Sequence, residues 1–397
     1  MTKAHITLLL SLVLSASLTP VGGCVSTQVI KANATPAIQA QEEIPEELLI
    51  DVGITPFDPG IPEGEQELEE GIVVPDVRRA ESRFFAYHLK DTLELTGNWG
   101  AVRVTPQNSS AVDLIVSGQI QISNGEQIIA DVKAVDSTGR VWIDKEYADA
   151  SSKFSYRNQQ KEDPFQDFYN SIANDLLAAQ RELTPAELQN LRRVSSLKFA
   201  ISLAPDAFDE YLAEDRRGKV TIKQLPAEND SMLARVDKIK LREYLFIDTL
   251  DDYYAKFYAD MELPYHDWRE YTYDEAIKLQ QMQKEAKTRM LGGAAMIVGG
   301  IVAGQKSGTY AGQIGGGVAV GAGAAVVKAG FNKRKEAEIH AESLKELTAS
   351  LGAEITPIVL DIEGRTVELT GTVNDQYTQW RRILKEIYAE ETGLAVQ

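Results

Sequence analysis

Glycines recur at Gly300, Gly304, Gly308, Gly312 and Gly316, one every four residues, inside a stretch from Met290 to Phe331 with apolar flanks. On a helix this period returns to nearly the same face, so it lines that face with bare backbone and lets a second helix approach closely. Glycine costs a helix about 1 kcal/mol relative to alanine, so close packing has to return that energy. Neither arm, 291–304 or 314–331, reaches the ~20 apolar residues of a membrane span, and Lys306 sits between them. The spacing therefore predicts a helical hairpin over 291–331 with a polar bend at 305–310. A flexible loop and one continuous helix used for oligomerisation are the competing readings.

A chain of 397 residues, 44% of them hydrophobic, can bury real cores and is expected to hold two or more domains. Its formal net charge of -18 repels phosphate backbones and excludes a general nucleic-acid binder. Cys24 is the sole cysteine, so an intrachain disulfide or a thiolate metal cluster is ruled out. Ahead of it stand Lys3, an apolar run from Ile6 to Leu18, and Val21-Gly22-Gly23, the layout of a secretory signal with small residues before the cut.

Val21-Gly22-Gly23-Cys24 resembles the lipobox of bacterial lipoproteins. The resemblance implies cleavage after Gly23, acylation of Cys24 and anchoring in membrane lipid. In that family an aspartate after the cysteine favours inner-membrane retention; Val25 stands here, which implies the outer membrane. Several acyl chains, each contributing about 0.8 kcal/mol per buried methylene, make a stable tether where one chain alone is marginal. Residues 24–47, with Pro36, Pro45 and an acidic end (Glu42, Glu43, Glu46, Glu47), read as a disordered tether.

Over 48–150 the pattern predicts a strand at Leu48–Thr55, a helix at Asp76–Leu95, and strands at Ala101–Thr105, Asp113–Ile122, Gln127–Asp136 and Val141–Tyr147. Turns at Ser123-Asn124-Gly125 and Ser137-Thr138-Gly139 make the last three an antiparallel meander. Asp51–Phe57, Ala111–Gly118 and Ala130–Ile143, with its Asp-x-x-Gly-Arg turn, resemble the small α/β domain of the Tol system's propeller protein, the curli secretion lipoprotein and related envelope lipoproteins. That likeness implies a periplasmic module that docks on a partner or assembles into rings.

Residues 151–290 read as a helical region. Helical patterns run from Pro164 to about Arg193, restarted at Thr184-Pro185-Ala186-Glu187 by a capping box, and over Val236–Met261 and Tyr273–Met290, with 205–230 mixed and polar. After the glycine stretch, which resembles the glycine zippers of small outer-membrane lipoproteins, a helix at Lys333–Leu351, strands at Ile355–Ile362 and Thr366–Val373, and a helix at Gln376–Tyr388 are expected. This α-β-β-α module over 332–397, with Val367–Val373 as its signature, resembles the BON module of envelope proteins and implies contact with phospholipid surfaces.

Catalytic patterns are not found. Gly299–Ser307 nearly spells a phosphate loop, but Gln305 separates Gly304 from Lys306, so the ammonium and the loop amides would not converge on one phosphate. His88, His266 and His340 lie apart without ligand spacing and read as surface or helix-packing residues, so neither a metal nor a cofactor is expected. The whole reads as an α+β protein: signal peptide 1–23, tether 24–47, α/β domain 48–150, helical region 151–290, glycine-zipper hairpin 291–331 and BON-like module 332–397. The expected role is a non-enzymatic, lipid-anchored scaffold facing the periplasm, with protein partners of the envelope and self-association left open. A ring-forming secretion channel similar to the curli exporter is the alternative.

Overall fold

The computed structural model describes residues 35–63, 73–106, 111–157, 162–227, 230–304, 345–346, 358–362 and 365–393. It mixes helix and sheet. Strand β1 (Val52–Ile54) pairs in parallel with β2 (Val102–Val104) and with β3 (Leu114–Ser123), and β3, β4 (Gln127–Asp136) and β5 (Val141–Ala150) follow as an antiparallel meander, giving the order β2-β1-β3-β4-β5. Along β4 the residues Ile128, Ala130, Val132 and Ala134 are buried with less buried residues between them, the period of two expected of a sheet with one covered face.

That face is covered by α1 (Pro75–Thr96) and α3 (Gln166–Arg181). Pro75 starts α1 at a position where the missing N–H costs nothing, and Gly97, at φ 67°, ends it. Phe85 faces Phe168 and Tyr169 of α3, whereas Phe84 faces Tyr258 and Tyr265 of α6 (Ser231–Gly304), with centroids 4.7 Å away in both cases. Helix α1 is thus sandwiched between helices and strands.

Helix α6 is 74 residues long, about 110 Å at ~1.5 Å per residue. Two separate helices were expected over this range; the structure has one, running through Pro264 and on through 291–304. A buried stripe of Phe246, Leu250, Tyr254, Phe257, Met261, Tyr265 and Trp268 continues on both sides of the proline. Its packing outweighs the rung that Pro264 removes.

Helix α2 (Lys153–Arg157) precedes α3, and between α3 and α6 lie α4 (Pro185–Leu203), the one-turn α5 (Pro205–Phe208), and a small antiparallel hairpin of β6 (Leu212–Glu214) and β7 (Val220–Ile222). The hairpin falls within 205–230, the mixed and polar stretch of the region read as helical over 151–290. Thr184 caps α4 as the sequence predicts: its hydroxyl accepts from Glu187 N at 3.3 Å and Glu187 Oε2 accepts from Thr184 N at 2.9 Å. Thr184→Ala should therefore lower stability by about 1 kcal/mol, read as a shift in the urea midpoint at unchanged slope. An unmoved midpoint would show the box contributes nothing.

At the C-terminal end β8 (Ile358–Ile362) pairs with β9 (Arg365–Leu369), and α7 runs Val373–Thr392. Val373 belongs to this helix rather than to the preceding strand, because Thr372 and Asp375 form a second capping box. Trp380 stacks on Phe246 of α6 at 5.5 Å, and Tyr377 donates to Glu243 at 2.7 Å. Of the helix expected at 333–351, only Lys345 and Glu346 are described, and both are helical.

One core joins these parts, from Ile50 through the sheet, α1, α3, α4 and α6 to Tyr388. The domain boundary expected at 150 falls inside it. The tether also ends earlier than residue 47. Thr35 N donates to Asp167 at 2.7 Å, Ile38 N to Asn174 at 2.8 Å and Ala40 N to the Thr96 carbonyl at 2.8 Å, while Asn98 donates to the Ile38 carbonyl at 2.7 Å. Backbone polar groups in this Pro-containing segment find fixed partners on α1 and α3, so it is docked from Thr35 on. Among the described residues no helix is long and apolar enough to cross a membrane.

Candidate functional site

Two turns of identical design meet at one edge of the sheet. Asp136-Ser137-Thr138-Gly139-Arg140 joins β4 to β5, and Asp215-Arg216-Arg217-Gly218-Lys219 joins β6 to β7. In each the leading aspartate folds the turn around its own carboxylate, as a short acidic side chain with two acceptor oxygens does well. Asp136 Oδ1 accepts from Thr138 N at 2.8 Å, Thr138 Oγ1 at 2.6 Å and Arg140 N at 3.1 Å. Asp215 Oδ1 accepts from Arg217 N at 2.7 Å and Lys219 N at 3.0 Å.

Each turn closes through a glycine at positive φ, 82° at Gly139 and 79° at Gly218. The two pack against each other: Val220 N donates to the Thr138 carbonyl at 2.8 Å, and a Cβ on Gly139 would collide with the Gly218 carbonyl. Only glycine permits that approach.

With the start of α4, the turns enclose a cleft of about 530 Å³. Arg140, Arg217, Lys219 and Asn190 line it, together with the carboxylates of Asp136 and Glu187. Both carboxylates are already committed. Besides its turn bonds, Asp136 accepts from Trp142 Nε1 at 2.8 Å. Glu187 accepts from Thr184 in the capping box and from Arg140 at 3.2 Å, and the Thr184 backbone and hydroxyl, then Arg140, hold its carboxyl below the usual range. Arg217 and Lys219 are exposed and pair with no carboxylate among the described residues.

A second charged cluster lies inside the protein between α1, α3 and α6. Arg269 forms a two-pronged pair with Asp163, at 3.1 and 2.8 Å, and Arg78 pairs with Glu81 at 3.0 Å. Glu81 Oε1 also accepts from Ser123 at 2.7 Å and from Tyr265 at 2.9 Å. His88 sits between Tyr258 and Gln166, at 2.5 and 2.7 Å. These groups are buried and tie helices to one another, so of the two roles expected for His88, surface or helix packing, it has the second; His266 is also buried, on α6. His340 lies outside the described residues. Among the described residues no group of acids, histidines or cysteines is arranged to hold a metal.

Of the residues singled out from the sequence, Gly300 and Gly304 lie on the helical backbone of α6. Cys24, Gly308, Gly312 and Gly316 lie outside the described residues, as does the expected bend at 305–310. The cleft was only half visible in the sequence. The Asp-x-x-Gly-Arg turn at 136–140 stood out, whereas Asp215–Lys219 did not, although its Asp-x-x-Gly-basic spacing is the same.

The chain matches no model of a known family, and no curated protein matches its sequence.

Proposed function

We propose that the chain is an acylated outer-membrane lipoprotein whose periplasmic body is a non-enzymatic scaffold or interaction component of an envelope assembly. The observation that carries this reading is Cys24 placed directly after Val21-Gly22-Gly23 and the apolar run from Ile6 to Leu18. Docking of the chain from Thr35 supports it. About eleven residues separate Thr35 from Cys24, at most about 40 Å of extended chain at ~3.6 Å per residue, so the lipid would hold the body near the membrane. The interior charges serve packing, and the open cleft offers donors rather than a nucleophile with its base. In this reading a small α/β unit, a helical middle region, a glycine-zipper hairpin and a BON-like α-β-β-α module are parts of one interaction platform.

Cys24→Ser is expected to accumulate as an unprocessed precursor that takes up no labelled palmitate, because the thiol is the lipid acceptor. A Cys24→Ser protein that is cleaved and fractionates with the outer membrane like the parent would overturn the proposal.

A further inference from the structure

The hydrogen-bonding capacity of the twin-turn cleft is lopsided. Its carboxylates are committed: Asp136 takes four hydrogen bonds and Glu187 takes three from Thr184 and Arg140. Its donors are not. The side chains of Arg217, Lys219 and Asn190 have no hydrogen-bond partner or ion pair among the described residues, and Arg140 spends one guanidinium nitrogen on Glu187. In a chain of net charge -18, two unpaired cations side by side run against the general trend.

The backbone that carries the cations is also held in place before anything binds. Asp215 fixes the backbone N–H groups of Arg217 and Lys219, and the Gly139–Gly218 contact sets this turn against its twin. A site whose walls are rigid loses less freedom on binding. Its volume of about 530 Å³ is that of a small-molecule pocket rather than of a single ion.

We propose that this cleft binds a small phosphate-bearing ligand, with Arg217 and Lys219 gripping the phosphate and Arg140 and Asn190 adding neutral or charge-assisted hydrogen bonds. The partnerless side chains in the cleft are two cations and an amide, which call for a ligand group that accepts hydrogen bonds and is negatively charged. Phosphate presents more acceptor oxygens than a carboxylate and suits an arginine fork beside a lysine point charge. The phosphate can come from a soluble molecule or from a lipid headgroup. The inference goes beyond the lipoprotein reading and does not depend on Cys24.

The test uses the full chain carrying Cys24→Ser, so that no acyl group contributes. Inorganic pyrophosphate is titrated calorimetrically at low salt, and phosphatidylglycerol and phosphatidylcholine vesicles are used in co-sedimentation. Three chains are compared: the parent, R217Q/K219Q, and the charge-matched R382Q/K385Q on α7. The two cleft side chains are exposed and the turn is held by backbone groups, so R217Q/K219Q should fold.

Pyrophosphate binding that weakens tenfold or more in R217Q/K219Q and is unchanged in R382Q/K385Q supports the site with a soluble ligand. Binding to phosphatidylglycerol vesicles alone, with the same pattern of loss, supports the site with a headgroup ligand. No binding of either probe overturns the proposal, as does equal weakening in both variants. A chain with Cys24 intact that takes up no labelled palmitate, beside pyrophosphate binding by the Cys24→Ser chain, would sink the lipoprotein reading alone; palmitate uptake on Cys24 with no binding of either probe would sink this one alone.

Discussion

Gly125→Ala is expected to cost the protein more than 3 kcal/mol and to abolish the cooperative melt if overall stability is ordinary. Gly125 sits at the tip of the β3–β4 hairpin at φ 77°, pressed against α6. An added Cβ would lie inside the shell of the Arg269 carbonyl oxygen and 2.6 Å from both Thr272 Oγ1 and Tyr273 N. Two of these atoms are backbone of a long packed helix and cannot swing aside. The Gly125 carbonyl is itself held by Ser151 Oγ at 2.6 Å and by the Tyr156 hydroxyl, so the tip cannot retreat either. Gly393→Ala is the control: it also has a positive φ, 70°, but nothing lies within 4 Å of its added Cβ. Its cost should be the conformational one alone, about 1–2 kcal/mol. Guanidinium melts of the two variants separate collision from strain; equal losses would show that the hairpin tip is not docked on α6.

Arg269→Met is expected to destabilise by about 3–5 kcal/mol, because it leaves Asp163 as a buried charge without its partner. Methionine keeps much of the volume between Phe84, Phe165 and Tyr265, whose ring centroids lie 5.6, 5.8 and 4.3 Å from the guanidinium carbon, so the loss reports charge more than packing. The pH dependence distinguishes this from a cavity. In the parent, burial works to raise the Asp163 pKa, but the Arg269 charge, helped by His88 and by hydrogen bonds, outweighs it and holds the carboxyl below its ordinary value. A depressed carboxyl contributes stability that is complete above its unfolded pKa of about 4 and is lost as pH falls through the folded value. Without Arg269 only His88 and the Phe165 N–H still oppose burial, the largest single effect, and the sign is expected to reverse: the folded pKa rises above the unfolded one, and stability is lost as pH rises. Relative to the parent, the variant should therefore recover stability between pH 7 and pH 5, measured by urea midpoints across that range. A constant difference across it would mean Asp163 is not the source.

The elements that local chemistry controls were readable along the chain. Strand β4 occupies the predicted Gln127–Asp136, since alternation of apolar and polar residues is a property of the strand itself. Gly97 ends α1, and Thr184 with Glu187 starts α4, since a stop or a cap is decided by the few residues at that place. The same holds for the turn at Asp136–Arg140. The docking of 35–40 was not readable, because a polar, proline-containing segment looks like a tether until its partners Asp167, Asn174 and Thr96 are brought to it.

By itself, then, the sequence determined the mixed helix and sheet composition, the meander, the capping boxes and the net negative charge, all consequences of side chains and their near neighbours. The tertiary structure decided what depends on residues far apart. It placed β1 between β2 and β3, where parallel pairing needs crossovers of many residues. It carried α6 through Pro264, because a continuous buried face outweighs one missing hydrogen bond. And it set the turn at Asp136–Arg140 against the turn at Asp215–Lys219, nearly eighty residues on, by the contact of two glycines whose missing side chains leave no trace of their meeting in either local pattern.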